Sequence, residues 1–182
     1  VTALPYRSQE TRNRERHLRF LAHLATDLDP DQTAVVLGPA DLLADQMPAT
    51  HVGIRNEILR TDAVEAIITL PGGLMPFRPG YQTGLWVLRR DESGRGHGRV
   101  LRADVSDRPL TAPLVDDLVE DVTTWRREGY HPAAHRRVLT TPERVADLLS
   151  GHRKVSGPRR PDLPEAIALR HARVARLLDL NR

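Results

Sequence analysis

Val64-Glu65-Ala66-Ile67-Ile68-Thr69-Leu70-Pro71, and after it Thr83-Gly84-Leu85-Trp86-Val87-Leu88-Arg89, are the two stretches whose reading decides the fold. Each is a short apolar run rich in β-branched and aromatic side chains, too short for a helix of ordinary length. Pro71-Gly72-Gly73 stops the first, and a loop carrying Pro76 and Pro79 separates the two. Both read as strands. Upstream, residues 33–37 form a wholly apolar run ending at Gly38-Pro39, which predicts a central strand buried on both faces. Downstream, residues 99–105 predict a fourth strand, and the Gly-rich polar stretch 91–98 reads as a hairpin connection.

Helical patterns alternate with these strands. Leu18, Leu21, Leu24, Ala25 and Leu28 recur at three- and four-residue spacing and predict a helix over 10–27, ended by Asp29-Pro30-Asp31. Its other face carries Arg12, Arg14, Arg16 and Arg19 against Glu10 and Glu15. A loop or short helix over 40–46 is broken by Pro48. Residues 53–59 then predict a helix with Ile54, Ile58 and Leu59 inward and Arg55 and Arg60 outward. A third long helix is expected over 112–127 on Leu114, Leu118, Val122 and Trp125. Thr141-Pro142-Glu143 predicts the start of a short helix, with Thr141 as N-cap and proline in the first turn. Residues 151–161 read as a basic linker, and 163–180 as a last amphipathic helix on Ile167, Arg170, Val174, Leu177 and Leu178. The expected division is an α/β domain over 1–130 and a basic helical extension over 131–182.

Composition excludes several classes. At 182 residues with 40% hydrophobic and 28% charged residues, the chain fits one globular domain rather than a disordered one. It has no cysteine, which removes disulfides, thiolate nucleophiles and cysteine-based zinc sites together. No apolar run is long enough to span a bilayer and no signal-peptide pattern opens the chain, so a cytoplasmic location is expected. One lysine, Lys154, accompanies 26 arginines at a net charge of +3. Arginine suits phosphates and guanine edges; GC-rich coding yields the same excess, together with the abundant Ala, Gly, Pro and Asp.

The order of these blocks resembles the second half of the adenine-specific N6 DNA methylases of the type I modification-subunit kind. Ile54-Arg55-Asn56-Glu57-Ile58-Leu59, the strand ending Ile68-Thr69-Leu70-Pro71, and Thr83-Gly84-Leu85-Trp86 carry the resemblance, which extends over about 3–149. It implies an α/β fold: the C-terminal half of a Rossmann-like methyltransferase sheet, mixed, with strand 83–88 antiparallel to its neighbours, plus C-terminal helices. Members carry Asn-Pro-Pro-Tyr or Asn-Pro-Pro-Phe just before this series. Here Ala3 occupies the Asn position and Leu4 the first Pro, while Pro5 and Tyr6 remain.

That substitution bears on chemistry. The adenine N6 lone pair is delocalised into the ring. In the family, the Asn oxygen and the next backbone carbonyl accept hydrogen bonds from the amine and steer it toward a nucleophilic geometry. The aromatic residue stacks on the flipped-out base. Carried over, Ala3 offers no acceptor, Leu4 keeps a carbonyl and Tyr6 keeps a ring. The family's donor, S-adenosylmethionine, is held by a glycine turn and an acidic residue upstream of this motif. No counterpart occurs in the chain, so no cofactor is expected for the chain alone. The resemblance therefore implies part of a DNA adenine-N6 methyltransferase that is incomplete or inactive by itself. A split enzyme completed by an upstream donor-binding chain, or a non-catalytic DNA- or protein-binding module reusing the fold, are the alternatives. DNA, and a specificity subunit or donor-binding chain, are the expected partners. Arg136, Arg137, Arg153, Lys154, Arg159 and Arg160 are the DNA-contact candidates, against a merely solubilising surface.

Other constellations read as structure. His131 and His135 are four apart, but Pro132 intervenes and no acidic ligand accompanies them, so no metal is expected. No serine sits in a Gly-x-Ser-x-Gly context. Gly72-Gly73 closes a late strand rather than opening a phosphate-binding helix. Asp116, Asp117, Glu120 and Asp121 read as a solvated acidic helix face.

Overall fold

The computed structural model describes residues 2–4, 13–30, 32–74, 80–90, 98–125, 138–149 and 155. The elements run β1 (Thr2–Ala3), α1 (Arg14–Asp27), β2 (Thr33–Pro39), α2 (Ala40–Leu43), α3 (Ala49–Arg60), β3 (Val64–Gly72), β4 (Gln82–Arg89), β5 (Arg99–Asp104), α4 (Ala112–Trp125), β6 (Thr141–Arg144) and α5 (Val145–Leu148). The strands form one mixed sheet in the order β1-β2-β4-β3-β5-β6. β1 pairs with β2, and β3 with β5, in parallel; β4 lies between β2 and β3, antiparallel to both. The four strands β1, β2, β3 and β5 thus end at the same side of the sheet. β3 and β4 are adjacent and antiparallel, as the resemblance implies, in register from Ile67↔Trp86 to Leu70↔Thr83.

Two cores follow from the two faces. On one, Leu18, Leu21 and Ala25 of α1 and Ile58 and Leu59 of α3 pack on Val36, Ile67, Trp86 and Leu88. On the other, Leu114 and Leu118 of α4 pack on Ala66, Ile68, Leu101 and Ala103. α1 begins where Asn13 accepts the Arg16 N–H at 2.9 Å, an N-cap that satisfies one donor of the first turn. Residues 10–12, the expected start of that helix, and 126–127, the expected end of α4, lie outside the described residues.

Several expectations are corrected. β2 is not buried on both faces: Val36 is fully covered by α1 and α3, whereas Val35 and Leu37 on the other face are half-exposed, because no described helix lies over them. Stretch 91–98 does not close a hairpin, since β3 separates β4 from β5 and β5 takes its backbone partners from β3. Thr141-Pro142-Glu143 opens a strand, not a helix. Arg99 to Arg102 on β5 offer it a ladder, which an edge strand accepts despite its proline. That strand is a second antiparallel member of the sheet. Arg55, expected outward, has no solvent exposure at all. The linker and last helix read over 151–180 lie outside the described residues apart from Val155, which is buried. Its N–H donates to the Ala44 carbonyl at 2.9 Å, and its carbonyl accepts from Arg102.

The acidic face of α4 is also only partly solvated. Asp121 is 3% exposed and accepts three backbone N–H bonds, from Val138 at 2.9 Å, Leu139 at 2.8 Å and Thr140 at 2.7 Å. It pins the strand leading into β6 against α4. Asp121→Ala leaves those three donors without their acceptor and should cost roughly 2–4 kcal/mol, with Asp121→Asn costing less because one oxygen survives. Denaturant unfolding measures the cost, and amide exchange at Leu139 and Thr140 should accelerate first.

Candidate functional site

In open α/β sheets, ligands bind beyond the carboxyl ends of the parallel strands. Here that end is formed by Ala3-Leu4, by Gly38-Pro39 entering α2, by the close of β3, and by Asp104 closing β5. Ala3, the last residue of β1, stands beside Leu37. Leu4 follows it and donates its N–H to the Leu37 carbonyl at 2.8 Å, which extends the ladder by one residue. Its side chain is 2% exposed and belongs to the core. A Cβ at Gly38 would lie 2.9 Å from Leu4 Cδ1 and 3.1 Å from Leu43 Cδ1, so glycine there is what lets Leu4 into the notch. Pro5 and Tyr6 lie outside the described residues, as do Arg136, Arg137, Arg153, Lys154, Arg159 and Arg160.

The wall beside this end is α2, and three side chains hold it. Trp86, fully buried on β4, donates its indole N–H to the Leu43 carbonyl at 2.7 Å. Arg55 on α3 reaches the Asp45 carbonyl with Nη1 at 3.3 Å. Among the described residues its Nε and Nη2 find no hydrogen-bond partner, and burial lowers its basicity below the ordinary arginine value. Arg14, at the start of α1, forms an ion pair with Asp41 at 2.6 Å. α2 sits directly on β4 because residue 84 has no side chain: a Cβ at Gly84 would meet Leu43 Cβ at 2.9 Å and Ala40 Cα at 3.5 Å. Sequence reading missed Gly38, Gly84 and Arg55 as determinants of this wall. The available signal was the isolated glycine within each strand, which marks a close approach.

A family match now joins this geometry. Residues 5–113 match the N-6 DNA methylase family. The chain belongs to that family. The methyltransferase subunit of a type I restriction-modification system from Streptococcus thermophilus superposes on 76% of the chain with a TM-score of 0.56 at 15% identity. A second structure, from work on complex assembly and conformational transition of the type I R-M system, covers 90% with a TM-score of 0.58 at 14% identity. At such identities the likeness is one of fold: a methylase-type mixed sheet. The chain spans 29% and 37% of the length of these two structures. No match is found among curated proteins.

The glycines at the two described strand ends do not fit a cradle for the family's methyl donor. The glycine at the strand-to-helix turn after β2, Gly38, faces Leu4 and Leu43, so the space a cradled ligand would need is filled by side chains. Gly73, in the left-handed region at φ 81°, follows β3 and leads into no described helix. Among the described residues no cluster of His, Asp or Glu is suited to a metal, and no helix is long and apolar enough to cross a membrane.

Proposed function

We propose that this chain is the C-terminal portion of the catalytic domain of a DNA adenine-N6 methylase of the restriction–modification type, inactive by itself. The observation that carries the reading is Ala3-Leu4 at the carboxyl end of β1, in the family's Asn-Pro position, beside the strand-to-helix turn of β2. The chain's own contribution would be to position the target amine. The Leu4 carbonyl supplies one acceptor, and Tyr6 a face on which a flipped adenine stacks. Ala3 supplies nothing where a second acceptor is needed. Losing one such preorganised partner costs about a hundred- to a thousandfold in rate. S-adenosylmethionine, bound by another polypeptide segment, would supply the methyl group. DNA would be drawn to the arginine-rich C-terminal third, through Arg136, Arg137, Arg153, Lys154, Arg159 and Arg160.

Leu4 favours a second reading. A core leucine, rather than a proline lining a pocket, suits a module that has kept the fold and lost the chemistry, binding DNA or protein. Titration calorimetry with S-adenosylmethionine tests the incompleteness that both readings share. The isolated chain should give no measurable heat of binding, and a dissociation constant near the micromolar range sinks the half-enzyme reading.

A further inference from the structure

α2 is four residues long, too short to hold its shape alone in water, and no side chain caps its start. Its place is set from outside. The last carbonyls of a helix lack partners within it. Here three consecutive carbonyls at that end are each taken by a different part of the chain. Leu43 accepts the Trp86 indole N–H from β4 at 2.7 Å, Ala44 the Val155 backbone N–H at 2.9 Å, and Asp45 a guanidinium N–H of Arg55 on α3 at 3.3 Å. Trp86, Val155 and Arg55 are all fully buried, so water does not replace a bond that is lost. Stranding a buried carbonyl costs more than the bond's own net worth. The Arg14–Asp41 ion pair on the outer side of α2 is partly exposed, and screening leaves it less to contribute.

We infer that Val155 is a positioning residue for the candidate site: the chain beyond α5 clamps the α2 wall through the backbone of this one residue. Trp86 and Arg55 tie α2 to β4 and α3. Val155 ties it to β5, since its carbonyl accepts from Arg102 Nη1 at 3.2 Å while its N–H holds Ala44. Arg102 is anchored in turn by an ion pair with Glu143 on β6. β5 ends at Asp104, on the side of the sheet where Ala3-Leu4 lie and α2 begins, so the clamp joins two parts of one rim. The approach to Val155 is fixed as well: the Leu149 carbonyl, just past α5, accepts from Asn56 Nδ2 on α3 at 3.4 Å. The Val155 side chain lies in the same core cluster as Ala44, Met47 and Leu148, which keeps the two backbone bonds dry. The inference rests on the proposed function only in placing the reacting adenine beside α2.

The indole N–H of Trp86 reads the clamp directly in the 182-residue chain, because that proton is bonded to the end of α2. Val155→Pro removes the donor to Ala44; Arg102→Met releases the Val155 carbonyl and serves should the proline variant fail to fold. In each, the indole proton resonance should move toward that of a free indole, while the Ile68 amide in the interior strand β3 keeps its position. Indole hydrogen exchange should become at least tenfold faster and stay insensitive to low urea, the mark of local opening. Val155→Ala, which keeps the N–H, should do less. An unmoved indole, or an effect of Val155→Ala equal to that of Val155→Pro, overturns the inference. The second readout is methylation by the Ala3→Asn chain mixed with a donor-binding half. There Val155→Pro should lower kcat at least threefold with KM for duplex DNA unchanged. A raised KM with kcat intact would assign Val155 to holding DNA and overturn the positioning role. Absence of methylation from every mixture would refute the proposed function, and the indole would then decide the clamp by itself.

Discussion

Ala3→Asn should raise adenine methylation by about two orders of magnitude when the chain is mixed with a donor-binding half, S-adenosylmethionine and duplex DNA. One recovered hydrogen-bond acceptor that acts only as the amine becomes nucleophilic is worth that much, and the gain should appear in kcat rather than KM. N6-methyladenine in the digested product is the readout. Restoring the family's proline as well is a different experiment, because Leu4 does two structural jobs. Its N–H bonds the Leu37 carbonyl, a donor that proline lacks, and its side chain fills the notch over Gly38. Leu4→Pro should add no activity, and core deletion alone should cost about 2–5 kcal/mol of stability. Tyr6→Ala should reverse the gain, since base stacking on an aromatic ring is worth about 1–3 kcal/mol. If the wild-type mixture methylates DNA and Ala3→Asn changes nothing, Ala3-Leu4-Pro5-Tyr6 is not the degenerate catalytic turn.

What the sequence disclosed, and what it withheld, divides along physical lines. The strands 64–72 and 82–89 were legible because burial on a sheet leaves a continuous apolar run, and their antiparallel adjacency came with the resemblance. α1 and α4 were legible because a helix packed on one side writes a stripe. Arg55 was not. Helical periodicity assigns any arginine to solvent, and the Asp45 carbonyl just past α2, brought near by tertiary packing, gives this one a reason to be inside. Asp121 was misread similarly, since its three partners lie 17 to 19 residues away and no local pattern announces them. Thr141-Pro142-Glu143-Arg144 suits a helix start as well as an edge strand. The unsatisfied edge of β5 decides between them. The core role of Leu4 was not legible either, because nothing local announces the notch over Gly38 that its side chain fills.

Trp86→Ala should be the most destabilising single substitution in the chain, at about 3–5 kcal/mol for the lost ring and the cavity it leaves. Trp86 has no solvent exposure, sits on the central antiparallel strand, and packs in the larger core among residues of α1, α2 and α3. Its indole N–H also satisfies the Leu43 carbonyl at 2.7 Å, and stranding a buried acceptor adds about 1–3 kcal/mol. Against a total stability of about 5–15 kcal/mol for a domain of this size, such a loss leaves little folded protein at the low end of that range. Trp86→Phe separates the two terms, because it keeps most of the packing and removes the donor. Urea unfolding should place Trp86→Phe between wild type and Trp86→Ala. Equal losses for the two variants would assign the effect to the hydrogen bond, and a loss below about 1 kcal/mol for Trp86→Ala would contradict the buried placement. The comparison also reaches the candidate site. Leu43 ends α2, and α2 is the wall beside Ala3-Leu4, so a Trp86→Phe chain that stays folded but lets α2 shift should lose part of the methylation gained by Ala3→Asn. That loss would mark Trp86 as a residue that positions the wall, acting through the Leu43 carbonyl rather than on the adenine.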